Sequence, residues 1–522
     1  MNFFLIFSLA TRAMNMPVTF ACQAFSLRTN GVCRPNESSR MTRSLMPLSA
    51  FFVFCVLVGV GGAAEPKTSL DRQSSDRAAK EAFLKYYLFA NGRGMHTMPG
   101  VFDEYERYRR SNVWQGRLLR HILRDQMGMT LMDDQRAVGL FATSHRDVKV
   151  GAFGCVACHC GKVDGRIVPG LGNKNIDPYM MAKFGKMLQI AYRAITPIEE
   201  SDTFKRLTEQ SFHFISQVSR PDTANQTQGL VSNSAMWAWF FQNAKHPRPE
   251  QLTPAATKVP ALWGFEEKRQ VGLFFDGLGA TDQSVGWVAM TELVAGQTAT
   301  NAKAYVKRWV EVEELFGDLL PPKYLRVIDQ ELANRGSGVF QDNCRRCHGS
   351  YERDEHGLPL FQPPKKISID IVDTDRDRLN FSVERLDAAI EASEMADLIG
   401  LNPDYRPGYY AHRLEGIWAR FPYLHNASVP SLAALLTPPE ERPMFFDLHG
   451  AGEAERFNER IVGLDAPPRD SIAEQRLKDR ADDGARDVYD VRRLGQSNRG
   501  HSFGTGLPDK DKQALIEYLK TL

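Results

Sequence analysis

The apolar positions of this chain recur mostly at helical spacing, and strand-like alternation is rare and short. Apolar and charged residues interleave with a helical period over 77–89 and 102–127. The same pattern returns over 178–195 and 236–243, inside a helical stretch spanning 172–245. A last helix is predicted over 508–522. Pro508 opens it, Asp509 and Asp511 occupy its first turn, and Leu515, Ile516, Leu519 and Leu522 form one apolar stripe. Prolines at 247, 249, 254 and 260 mark turns leading into Ala261-Leu262-Trp263, and Pro321-Pro322 marks a linker. Residues 65–150 read as helix and loop. Residues 350–375 and 440–500 read as Pro-, Asp- and Arg-rich loops around a compact core. No long repeat or low-complexity tract is visible, which excludes a solenoid. The pattern predicts a mainly α protein.

One apolar run does not belong to that fold. Arg43 precedes an apolar run over 45–60, and Gly62-Ala63-Ala64 follows before Glu65-Pro66. A basic start, an apolar centre and small residues at the exit read as a secretory signal, with Met41 as an alternative start. A membrane anchor is the rival reading, but about 16 apolar residues are short for a bilayer span. The expectation is an export segment over 1–64, a periplasmic or secreted protein, and no stable membrane span after cleavage.

Composition changes this picture little. The chain has 522 residues, 43% hydrophobic and 25% charged, enough for two or three domains with real cores. Five of its 65 basic and one of its 63 acidic residues lie in the export segment, leaving 60 basic and 62 acidic residues. That balance, with no dense basic cluster, argues against a nucleic-acid partner.

The cysteines change it a great deal. Of eight, Cys22, Cys33 and Cys55 lie in the export segment. Of the remaining five, four form Cys155-Val156-Ala157-Cys158-His159 and Cys344-Arg345-Arg346-Cys347-His348. This is the attachment pattern of covalent haem. Two thiols form thioethers with the two vinyl groups, and the adjacent histidine is held under the iron. A zinc site or a redox dithiol is the bland alternative, and neither needs His directly after the second Cys. The expectation is two haem c groups with their iron, bonded to Cys155, Cys158, Cys344 and Cys347 and ligated by His159 and His348. Cys160 reads as a packed small residue.

Gly336, Phe340 and Cys344 stand at helical spacing before the second motif, and Leu515-Ile516-Glu517-Tyr518-Leu519 lies in the last helix. Together they resemble the small cytochrome c fold, in which a first and a last helix cross beside the haem. The expected architecture is therefore two cytochrome c-like haem domains with long loop insertions, over 65–322 and 323–522. Three further segments extend the resemblance. These are Phe274-Phe275-Asp276-Gly277, the stretch over 414–432 that contains Phe421-Pro422-Tyr423-Leu424-His425-Asn426, and Asn498-Arg499-Gly500-His501-Ser502-Phe503-Gly504-Thr505. They resemble the bacterial dihaem cytochrome c peroxidase superfamily, and within it the rubber oxygenase type of dihaem protein.

That resemblance implies an oxidoreductase. The haem on His159 would be the reactive one, with a face open to peroxide or O2. The haem on His348 would have His501 as its second ligand and relay electrons. No histidine follows soon after His159, and His213 is far along the chain, which implies a permanently open site. Phe275 stands where the family has a Trp between the haems, so Trp263 or Trp287 would have to substitute. Glu292 lies near the family's distal acid, although by itself it reads rather as a solvated surface residue. His425 belongs to a signature loop and is expected to make a structural hydrogen bond. Met444 and His449 are outside candidates for ligation. The co-substrate would be a small redox protein donor in a peroxidase, or an apolar olefin in an oxygenase. A non-catalytic electron-transfer cytochrome is the alternative.

Overall fold

The computed structural model describes residues 75–81, 101–145, 148–184, 227–232, 240–241, 255–271, 274–284, 286–287, 290, 299–304, 306–351 and 364–522. The export segment, most of the helical stretches expected over 178–195 and 236–243, and Glu292 lie outside these residues. No helix among the described residues is long and apolar enough to cross a membrane.

The longest described helix runs directly into the second Cys-x-x-Cys-His motif. Helix α1 (Val101–Tyr108) and α2 (Trp114–Arg120) come first in the chain, followed by α3 (Val306–Asp318), α4 (Gln330–Asn343), α5 (Val383–Glu391), α6 (Ile472–Asp482) and α7 (Asp509–Lys520). Helices α4 and α7 cross closely. Asp329 caps α4, its Oδ1 accepting from the Leu332 N–H at 2.9 Å, while its own N–H donates to Glu517 Oε1 of α7 at 2.9 Å. Gly336 meets α7 at Ala514, where a Cβ would come within 1.9 Å of the carbonyl oxygen. One turn on, Phe340 is fully buried and lies 5.3 Å, centroid to centroid, from Tyr518. The apolar stripe of α7 buries Leu515, Ile516 and Leu519, each contributing roughly 1.5–3 kcal/mol.

The strands form antiparallel pairs: β1 (Leu140–His145) with β2 (Val148–Phe153), β3 (Cys160–Val163) with β4 (Arg166–Pro169), β5 (Leu230–Ser232) with β6 (Ala256–Lys258), β7 (Lys365–Ser368) with β8 (Gly408–Ala411), and β9 (Phe445–Asp447) with β10 (Val488–Asp490). Leu140 pairs with Phe153 and Cys160 with Pro169, so two hairpins flank the first motif.

Three sequence expectations are corrected here. The stretch 102–127 is not one helix: α1 ends at Tyr108, and α2 begins after a break that Gly116 requires, its Cα lying against the carbonyls of Tyr108 and Ser111. Residues 140–145 and 148–153 pair as antiparallel strands rather than forming helix or loop. Helix α6 interrupts the expected loop over 440–500. Ser471 caps it by accepting from the Glu474 N–H, and Glu474 reaches back to accept from the N–H of Asp470, the residue before the cap.

One core joins the chain on both sides of residue 322. It contains Val156, Cys160, Trp263, Trp309, Phe340, Trp418 and Leu515. Ion pairs add to it: Arg326 with Asp164, Lys162 with Glu453, and Arg486 with the fully buried Asp177.

Candidate haem sites

The first motif is one turn of helix, Val156–His159, clamped between the flanking hairpins. The Gly154 N–H donates to Gly139 O before the turn, and the Gly170 N–H to His159 O after it. Asn173, itself buried, donates from Nδ2 to Gly128 O and Ala157 O at 2.8 and 3.2 Å, and its N–H donates to Cys158 O. His159 Nδ1 lies 3.1 Å from the Pro260 carbonyl oxygen. A carbonyl only accepts, so Nδ1 carries the proton and Nε2 keeps a free lone pair. Burial pushes the ring's pKa down to about 4, against the raising effect of the Pro260 bond, which keeps that lone pair unprotonated at neutral pH.

The second motif repeats this arrangement on another frame. The N–H of Cys344, at the C-terminal end of α4, donates to Phe340 O. Arg345–His348 form one further helical turn. His348 Nδ1 lies 3.2 Å from the carbonyl oxygen of His412, the residue after β8. Burial again lowers the ring's pKa. All four motif cysteines are free thiols. Burial pushes Cys158 and Cys344 up to about 11. Cys160 is wholly buried, with its thiol pushed up to about 12.

The two sites differ in what faces the histidine. The His501 ring stands 6.3 Å from the His348 ring, centroid to centroid. Two imidazoles bound through nitrogen to opposite sides of one metal ion, with bonds of about 2 Å, have centroids about 6 Å apart. Burial pushes His501 down to about 4, helped by the charges of His348 and Arg442, and its buried Nδ1 has no hydrogen-bond partner among the described residues. Among the described residues no second histidine ring lies against His159. Nor is any group of three or more His, Cys, Asp or Glu placed among them to hold a bare metal ion. The residues present therefore fit an iron that brings its own ring of nitrogens and takes one or two imidazoles from the chain.

His501 sits in a loop built to fix it. Its backbone is left-handed (φ 46°), and Gly500 before it (φ 76°) leaves no room for a Cβ, which would fall 2.3 Å from the Asp373 carbonyl. The His501 N–H donates to Val372 O at 2.7 Å. Arg442 is fully buried and donates to five carbonyls: Thr437, Leu435, Asn498, Gly500 and His501, at 2.7–3.1 Å. Asn426 of the signature loop donates to Gly495 O and Ser497 O on the approach to the same loop. Sequence reasoning passed over Arg442 and His412, because neither stands in a recognisable spacing with a motif.

Other candidates fall in different places. His425 is buried, stacks on Tyr409 at 4.2 Å, and shares a 3.1 Å hydrogen bond with the Tyr409 hydroxyl, a structural role. The Phe275 ring lies edge-to-face on His412 at 5.8 Å and borders an apolar cluster of Ile369, Val372 and Tyr409. Trp263 donates to Glu415 O and Trp287 to Gly400 O, so both indoles are tied into the core. Glu292 lies outside the described residues.

Comparison with known proteins agrees with this chemistry. A family described as RoxA-like, cytochrome c-like, matches residues 408–447. A cytochrome c-like segment implies covalent haem c with its iron and a c-type cytochrome oxidoreductase. The matched stretch contains His412, Arg420, His425 and Arg442, but neither Cys-x-x-Cys-His motif. Two proteins of Sinorhizobium fredii are similar over longer stretches. The uncharacterized protein y4iM is 30% identical over 345 residues, 57% of this chain and 71% of its own. The uncharacterized protein y4iJ is 28% identical over 272 residues, 40% of this chain and 42% of its own.

Proposed function

We propose that this chain, which belongs to the family of the Sinorhizobium fredii protein y4iM, is an exported dihaem cytochrome related to the rubber oxygenase type, activating peroxide or O2 at the His159 site and relaying electrons through the His348 site. The observation that carries this reading is the asymmetry between two otherwise alike motifs. Each histidine is oriented by a backbone carbonyl at Nδ1, yet His348 faces a second imidazole at 6.3 Å and His159 faces none among the described residues.

The haem groups supply reversible electron storage and, where one iron position stays open, a binding place for a small oxidant. The chain does the rest. Cys155, Cys158, Cys344 and Cys347 fix each ring covalently. Pro260 and His412 set the tautomers of the two ligating histidines and strengthen their basicity. His501 would supply the second imidazole at the His348 site, leaving that site without room for a small oxidant. Phe275 and His412 lie in contact beside His348. A phenyl ring is much harder to oxidise than an indole, so electrons passing here would tunnel without resting on the side chain. Glu292 remains the candidate proton donor at the open face.

Four measurements test the reading. A pyridine haemochrome assay on the matured protein should give two haems c per chain. The ferrous protein should bind CO at one haem, and two CO-inert low-spin haems would reduce the protein to an electron-transfer cytochrome. Peroxide-dependent oxidation of a reduced small cytochrome would assign the peroxidase branch. Oxygen-dependent cleavage of polyisoprene without added reductant would assign the oxygenase branch.

A further inference from the structure

Three deep cations between the two sites have no carboxylate partner among the described residues. Lys258 donates from Nζ to Arg420 O and Pro422 O, both at 2.9 Å. Lys268 donates from Nζ to Ala261 O and Trp263 O at 2.7 and 2.9 Å. Arg420 donates from Nη1 to Arg413 O at 2.9 Å. Each ammonium has a third N–H and the guanidinium has further ones. Glu415, the acid whose charge reaches both Lys268 and Arg420, is already ion-paired with Arg413.

Their placement is specific. Lys268 holds the carbonyl of Ala261, the residue after the Pro260 that orients His159, Arg420 holds the carbonyl of Arg413, the residue after the His412 that orients His348, and Lys258 holds the carbonyl of Arg420 itself. Burial depresses both lysines, and the charge of Arg420 adds to it. All three retain partial exposure rather than being sealed in the core. Lys174, by contrast, is sealed under the Phe421 ring at 7% exposure. Deep positive charges without counter-charges are unstable unless something anionic completes them.

We propose that Lys258, Lys268 and Arg420 form a receptor for the carboxylates of the porphyrin rings, shared between the two sites, and thereby raise the reduction potentials of both haems. The inference rests on the dihaem reading. A haem c carries two propionates on the edge opposite its thioether bonds. A ring fixed by a motif's two cysteines and its histidine must aim those carboxylates at one defined region of the chain. Positive charge beside the ring stabilises the reduced form, which carries one more electron.

Optical redox titration of the matured protein tests this. Lys268→Met and Arg420→Met should each keep two haems per chain. Each should raise the ferric-to-ferrous ratio at fixed potential about tenfold at the nearer haem, equivalent to about 59 mV. Lys268→Met should act mainly on the CO-binding haem and Arg420→Met on the low-spin one. Lys258→Met should shift both, and the charge-keeping Lys268→Arg should restore most of the wild-type value. Unchanged potentials in correctly loaded neutral variants would overturn the proposal and leave the cations as backbone staples. Wild-type potentials that move with phosphate concentration at constant ionic strength would also overturn it, by assigning the receptor to a free anion. Wild-type protein without haem would instead defeat the dihaem reading itself. Should one neutral variant fail to mature, the other two still decide.

Discussion

At the scale of single residues, His501 and Lys174 give the sharpest expectations. His501→Ala should turn the ferric haem at His348 from low towards high spin while leaving the His159 haem unchanged. Electron paramagnetic resonance reads this directly, and an unaltered low-spin signal would remove His501 from the ligand set. Lys174 is sealed, and burial lowers its pKa from 10.5 to about 7. In the unfolded chain it keeps its proton up to about pH 10.5, whereas in the fold it releases it near 7. Stability is therefore fully present above about 10.5 and falls as pH drops towards 7, below which the whole penalty is in force. Lys174→Met should flatten the stability curve over that window in urea titrations, and parallel curves would show the ammonium to be solvated. The sequence made the motif residues legible because Cys-x-x-Cys-His compresses a site into five positions. His412, Arg442 and the three deep cations were not legible, because their meaning lies in contacts across up to 164 residues of chain, as between Lys258 and the Pro422 carbonyl.

Elements were legible where local chemistry and packing agree. The crossing of α4 on α7 follows from Gly336, Phe340 and an apolar stripe at the right spacing, all visible in the sequence. The hairpin of β1 and β2 was not, because its apolar content does not alternate clearly and its pairing depends on what packs over it. Helix α6 could have been found from Ser471 and Glu474, a capping signal masked by the charged residues around it. The α4–α7 crossing makes a direct test. Gly336→Val should force the helices apart, because the Cβ would meet a backbone oxygen that cannot swing away. A loss of about 2 kcal/mol or more is expected in chemical denaturation. Gly338, which has open space around its Cα, is the control, and Gly338→Ala should be harmless or slightly stabilising. Equal effects at the two positions would mean the crossing is looser than it looks.

Over the whole molecule, the shared core matters more than the division at Pro321-Pro322. Trp418 of the second half donates from its indole to Pro322 O, and Arg326 reaches back to Asp164 beside the first motif. Arg486 grips Asp177 through two bonds, at 2.5 and 2.9 Å, with the carboxylate fully buried. Asp177→Asn should leave that guanidinium without its counter-charge and cost roughly 3–5 kcal/mol. The loss should appear alike in the Soret band, which reports the haem environment, and in far-ultraviolet circular dichroism, which reports the backbone. Separate transitions would show that the two halves unfold independently.

The five carbonyls gathered by Arg442 have a kinetic meaning as well. A histidine held through its own backbone, with the residues before it anchored to the same guanidinium, has little freedom to shift when its neighbour gains or loses an electron. Electron exchange is fast when the atoms around a redox centre are already where both charge states want them. The rigidity that Arg442 gives the 498–501 loop would lower the reorganisation energy of the relay, so that its speed would be set by distance and driving force rather than by the motion of a ligand.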